Sequence, residues 1–194
     1  MATIWQRGRA VAAVLLIWLL VGTSAAAQEQ QPRVAVSADE ISRGDPTLPN
    51  VALVFNVGAG FEPGTAILDA LAERHQRATF FVMGWWAARH PDLLTQIAAG
   101  GHEIASHGHA IFDLTQASDA QVQADLEEAD ATISAVIGRS TRPLWSPSAG
   151  YRNARVRSIA AGLGYRPILW TVDSGDWMTE TSVESVFSRI VNGA

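Results

Sequence analysis

With 194 residues, no cysteine and a net charge of −5, the chain has material for one domain with a sizeable core, and it excludes both a disulfide framework and a thiolate metal site. All 14 basic residues are Arg, and they form no stripe interleaved with aromatics. Nucleic acid is therefore excluded as a partner, and the acid excess suits a neutral or cationic ligand such as a glycan.

In chain order, Arg7 and Arg9, the apolar run Ala10 to Val21 and the small residues Ala25 to Ala27 read as a signal peptide over residues 1–27. Export to the cell envelope or beyond is the expectation, with membrane tethering only if the leader stays uncleaved. Residues 28–50, rich in Gln, Pro, Ser and Asp, read as a mobile linker. From Val51 onward short apolar runs alternate with helical periodicity, the pattern of β/α units on a buried sheet.

Strands are expected at Val51–Asn56, Ala78–Met83, His102–Ser106, Pro143–Ser146 and Pro167–Val172. Between them, Leu68, Leu71 and Ala72 share a helical face, and Pro91-Asp92 opens a helix that Gly100-Gly101 closes. Ser118 to Ile137 is the clearest helix. Ser118 caps it, Val122, Leu126, Ala129, Ile133 and Val136 form its apolar stripe, and Gly138 stops it. Such alternation means an α/β barrel or a doubly wound sheet, with the chemistry at the carboxyl ends of the strands. Polar residues gather there at Asn56-Val57-Gly58, His107-Gly108-His109, Ser146-Pro147-Ser148 and Asp173 to Trp177.

At these clusters the chain, from about Val51 to Ala194, resembles the polysaccharide deacetylases, the NodB-homology family of carbohydrate esterases. The segments that carry the resemblance are Val51 to Gly58, Ala78 to Val82, Gly101 to His107, Tyr151 to Pro167 and Trp170 to Trp177. The resemblance implies a distorted β/α barrel and a divalent, zinc-like metal. It also implies hydrolysis of acetyl groups on N- or O-acetylated envelope carbohydrates.

The residues depart from the family pattern at most of its chemical positions. The T-F-D-D-G strand end, with its base and a metal ligand, reads Phe55-Asn56-Val57-Gly58 here; an amide takes no proton at neutral pH and an isopropyl group binds no cation. Of the two histidines in H-x-x-x-H, His107 is present and Ile111 replaces the second. His109 is the candidate substitute ligand. R-x-P-Y-G reads Ser146-Pro147-Ser148-Ala149-Gly150, so Ser146 and Gly150 are expected to meet substrate without the charged orienter, while Arg142 and Arg152 read most simply as surface residues.

Asp176 and Trp177 match the family's Asp that orients a catalytic His and the Trp that walls its pocket, and Asp173 reads as structural. The His itself belongs to an L-x-H strand that would follow Val191 to Ala194, so the barrel is expected to be incomplete at its carboxyl end and the chain a fragment of a longer product. Trp85 and Trp86 read as core residues first and as a sugar platform second. Two functions follow: a metal-dependent deacetylase, or a pseudoenzyme that binds carbohydrate or a partner through Trp177 and Trp86, with Asn56, His107 and Asp176 as hydrogen-bonding groups.

Overall fold

The structure, a computed structural model, describes residues 36–58 and 64–194; the expected leader lies outside them. Five parallel strands carry the fold: β1 (Val54–Val57), β2 (Thr79–Val82), β3 (Glu103–Ser106), β4 (Leu144–Trp145) and β5 (Arg166–Pro167). They lie side by side in chain order. A doubly wound sheet reverses its strand order at a switch point, and no reversal occurs among the described strands, so the progression is that of a barrel-type α/β sheet. Beyond β5, Ile41 pairs in parallel with Ile168. Within the stretch read as a linker, Glu40 accepts from both Arg152 and Arg157 at 2.8 Å, which pins residues 40 and 41 to the domain.

Helices fill the crossovers: α1 (Gly64–Glu73), α2 (Gly84–Arg89), α3 (Pro91–Ala99), α4 (Asp119–Ile137), α5 (Ala154–Gly162) and, last, α6 (Val183–Gly193). The α4 helix forms as its sequence dictates. Ser118 and Gln121 make a reciprocal capping box, and Gly138 at φ 73° ends the helix in the left-handed conformation that a Cβ would penalise. Its stripe braces two cores: Ile133 joins Phe80, Val82, Ile104, Leu94 and Trp86, while Val122 and Leu126 join Trp145, Val156, Leu163 and Tyr165. Burying a side chain such as Leu126 completely is worth about 1.5–3 kcal/mol, so one helix ties together both halves of the sheet.

Three sequence expectations change. Residues 84–89 form α2, one and a half turns between the end of β2 and Pro91, too short for a periodicity to register. Its Trp86 is buried, with its ring 5.0 Å from that of His90 and tilted by 44°, and Trp85 is half-buried beneath Arg89, so Trp86 is not a sugar platform. In α1 the inward residue beside Leu71 is Ile67 and Ala72 is exposed, because Ala72 stands 100° around the helix from Leu71. The fifth strand begins one residue early and pairs only through Ile168; Trp170 to Val172 have no strand partner among the described residues.

Candidate functional site

Parallel pairing brings the carboxyl ends of the strands to one rim. Val57, Val82, Ser106, Trp145 and Pro167 are in register across the sheet. The ladder continues one residue further, with amides donating from Met83 to Val57, from His107 to Val82 and from Ser146 to Ser106 at 2.9–3.0 Å. Phe80, Val82 and Ile104 face the helices; Asn56, Phe81 and Ala105, level with one another, therefore face the opposite side. Asn56 is exposed there, whereas Val57 packs on the helix-side core.

His107 is the centre of the rim. It is buried, and its Nδ1–H donates to the Ser146 carbonyl at 2.7 Å, which leaves the lone pair on Nε2. Burial penalises the imidazolium more than that carbonyl supports it, and the group is brought down to about 4. At neutral pH His107 is thus a fixed, uncharged acceptor. Ser146, expected to meet substrate, is buried instead, and its backbone is used twice: the amide on β3 and the carbonyl on His107.

The loop after His107 is held by a residue that the motif reading overlooked. Asp125 of α4 is buried and accepts from Ala110 at 2.9 Å and from the His109 amide, while Gly108 passes so close that a Cβ there would stand 2.6 Å from its Oδ2. Burial outweighs these bonds and raises the Asp125 carboxyl above its ordinary value. The sequence did carry a signal, since Asp125 lies inside the apolar stripe, three residues from Val122 and four from Ala129. Replacing Asp125 with Ala leaves two enclosed amides unpaired, and we expect a loss of about 2–3 kcal/mol in urea unfolding, against roughly 1 kcal/mol for Asp125→Asn, which keeps an acceptor. Equal losses in the two variants would show that the carboxyl does not organise this loop.

His109 does not join His107. Its ring packs on α2, where a Cβ on Gly84 would stand 2.4 Å from Nδ1, and its Nε2 lies 3.5 Å from Glu128 of α4. Ile111 is 60% exposed, and Asp113 accepts from Thr115 within its own turn. Catalytic zinc takes three protein ligands and a water, and among the described residues no three His, Asp or Glu side chains are grouped to hold a metal. Asn56 is a weak amide donor, Val57 and Ile111 are no donors, and His107 stands alone. The residues present do not fit the expected zinc-like ion.

The remaining candidates occupy two further loops. Pro147 leads into a turn in which Ala149 (φ 51°) and Gly150 (φ 71°) are both left-handed, and the Gly150 amide is committed to the Pro147 carbonyl at 3.0 Å. Arg152 reaches back to the Gly150 carbonyl at 3.1 Å but is paired with Glu40, and Arg142 is paired with Asp130. After β5, Asp176 accepts from Ser174 at 2.6 Å, and Asp173 takes both the Gly175 amide and the Trp177 indole N–H. Trp177 is 73% exposed. Among the described residues neither Asp176 nor Trp177 hydrogen-bonds to the His107–Ser146 pair.

Comparison with known proteins places this rim. The sequence model of the family described as "Polysaccharide deacetylase" matches residues 43–168. The chain belongs to the polysaccharide deacetylase family. It is 33% identical over 165 residues to the uncharacterised protein YlxY of Bacillus subtilis, covering 82% of this chain and 51% of that one. It is 33% identical over 146 residues to a chitooligosaccharide deacetylase of Rhizobium leguminosarum bv. trifolii, covering 75% of this chain and 66% of the relative. The crystal structure of BA3943, a CE4 family pseudoenzyme from Bacillus anthracis, superposes with a TM-score of 0.77 at 25% identity, over 82% of this chain and 56% of that one. The chain thus spans between half and two thirds of these proteins' own lengths. Its parallel sheet and its helices have the deacetylase family's NodB-type architecture.

Proposed function

We propose that this polysaccharide deacetylase-family protein works outside the cytoplasm as a carbohydrate-binding pseudoenzyme, without the metal-dependent hydrolysis of its relatives. The observation that carries the reading is the side-chain set at the strand ends: one uncharged imidazole fixed by the Ser146 carbonyl, beside an amide at Asn56 and apolar groups at Val57 and Ile111. Hydrolysis of an acetamide needs an activated water and a base to form it. These groups supply neither. They can accept and donate hydrogen bonds to sugar hydroxyl and acetamide groups, and Trp177 presents an indole whose N–H is held by Asp173 while most of its surface meets solvent.

The chitooligosaccharide deacetylase among its relatives supports carbohydrate as the ligand class, and the leader pattern in residues 1–27 supports export. A second reading, deacetylation of an acetylated envelope sugar, is favoured by Asp176 and Trp177, which occupy the family's fourth motif.

Calorimetry with an N-acetylglucosamine tetramer, in EDTA and again after zinc loading, separates the two. We expect the same binding in both conditions and no acetate released; stoichiometric zinc uptake with acetate release would establish the enzyme instead. Trp177→Ala is expected to weaken binding at least tenfold while changing unfolding stability by less than about 0.5 kcal/mol, as an exposed surface residue should. Unchanged tetramer affinity in that variant would remove Trp177 from the binding surface.

A further inference from the structure

The opposite end of the sheet, where β2 and β3 begin, holds a cavity of about 420 Å³ whose polar lining is Asp69, His75, Gln76, Arg77, Gln96 and His102. Ligand pockets in proteins have volumes of roughly 300–1,000 Å³. Four residues of strand, roughly 13 Å, separate it from the carboxyl-end rim, so it is independent of the Asn56–His107 site.

Its walls are arranged around a positive charge. Arg139, Arg142, Arg152, Arg155 and Arg157 each form an ion pair, whereas Arg77 has no ion pair or hydrogen bond among the described residues. Two consecutive glycines after α3 make the arrangement fit. A Cβ on Gly100 would stand 2.9 Å from Cδ2 and Nε2 of His102, and Gly101, at φ 74°, leaves its Cβ position 3.5 Å from Nε of Arg77. The Ala78 amide donates to Nδ1 of His102 at 3.3 Å, so Nε2 carries the proton and is a donor. The ring also lies against Phe80, with centroids 5.1 Å apart and planes tilted by 59°. Leu68 and Ala72 of α1 add an apolar wall, and Asp69 is the single acid in the lining.

A guanidinium without an ion-pair partner among the described residues, a fixed imidazole N–H and the Gln96 amide make an oxyanion receptor, with the Gln76 amide beside them donating to the Arg74 carbonyl, in a chain that is otherwise acidic. We infer that this cavity binds a small hydroxylated carboxylate, of the class of an acidic sugar, with its carboxylate on Arg77 and the His102 Nε2–H and a hydroxyl on Asp69. Burial and the Arg77 charge together hold His102 below the usual histidine range, and a bound carboxylate would reverse the second influence.

The test is a titration of the histidine ring resonances of the whole chain with glucuronate, acetate and glucose. Glucuronate is expected to shift His75 and His102 saturably and leave His107 unmoved, acetate to bind more weakly, and glucose to shift neither. Arg77 is exposed and makes no ion pair or hydrogen bond among the described residues, so Arg77→Ala should fold normally and weaken glucuronate at least tenfold, and Asp69→Asn should weaken glucuronate but not acetate. The inference is overturned by the absence of a saturable shift, by equal shifts with glucose, or by unchanged affinity in Arg77→Ala. None of these outcomes bears on the Trp177 surface, which is tested separately.

Discussion

Lowering the pH from 6.5 to 4 is expected to remove about 3 kcal/mol of folding stability through His107 alone, the linkage value of a histidine whose group sits at about 4 in the folded protein and near 6.5 when unfolded. The sign follows from proton counting. Between those two values the unfolded chain binds a proton at this position and the folded chain does not, so the stability present above pH 6.5 is lost as the pH falls and levels off below about 4. His102 acts in the same direction, since burial and Arg77 lower it too. Asp125 acts oppositely: its carboxyl is raised by burial, so its own contribution weakens as the pH rises above its ordinary value. Urea midpoints for the parent and for His107→Gln, measured from pH 7.5 to 4, isolate the histidine, because Gln can still donate to the Ser146 carbonyl but does not titrate. The parent should lose markedly more stability than the variant over this range. Parallel curves would mean that His107 is protonated in place and that burial does not hold it neutral.

Trp145→Ala is expected to cost about 4 kcal/mol, at the upper end for a large-to-small core change. Trp145 is fully buried in the second core against Val122, Leu126, Val156 and Tyr165, and it is the last strand residue before Ser146. The cavity left by the indole therefore opens directly beneath the carbonyl that positions His107, and the His107 ring resonance should broaden or move in the same variant. Trp145→Phe offers an informative contrast. The indole Nε1 is buried with no hydrogen-bond partner among the described residues, so Phe removes an unsatisfied donor while keeping most of the apolar surface, and the expected loss falls to about 1 kcal/mol. A Phe variant as unstable as the Ala variant would contradict that account and would show the indole N–H to be bonded in solution.

The loops at the carboxyl ends of the strands are organised by their own backbone and by residues beneath them. The turn at Ser146 to Gly150 has two left-handed residues, Ala149 and Gly150, and the Asp173–Trp177 loop is closed by internal hydrogen bonds. Such a framework can present a ligand surface, because the loops are held by backbone bonds and by residues beneath the rim, Asp125 among them.

The alternation of apolar runs with helical periodicity, read from the amino acids alone, determined the α/β class, the five strands and the caps of α4, because each depends on neighbours within a few residues. The same local reading identified Asn56 as an amide that cannot act as a base and Val57 and Ile111 as side chains that cannot bind a cation, since that is a property of the side chain wherever it lies. Tertiary structure decided the rest. It decided that His109 serves α2 and α4 instead of a metal, that Ser146 is an orienter and not a contact, that Trp86 is core while Trp177 is open, and that Asp125 holds the loop. Each of these depends on a partner between 15 and 39 residues away or on which face of an element meets another, and local pattern carries no information about which distant atoms a side chain will meet. The cavity around Arg77 and His102 belongs to the same class, assembled from the ends of two helices and the starts of two strands whose polar residues look like ordinary surface when read in a line.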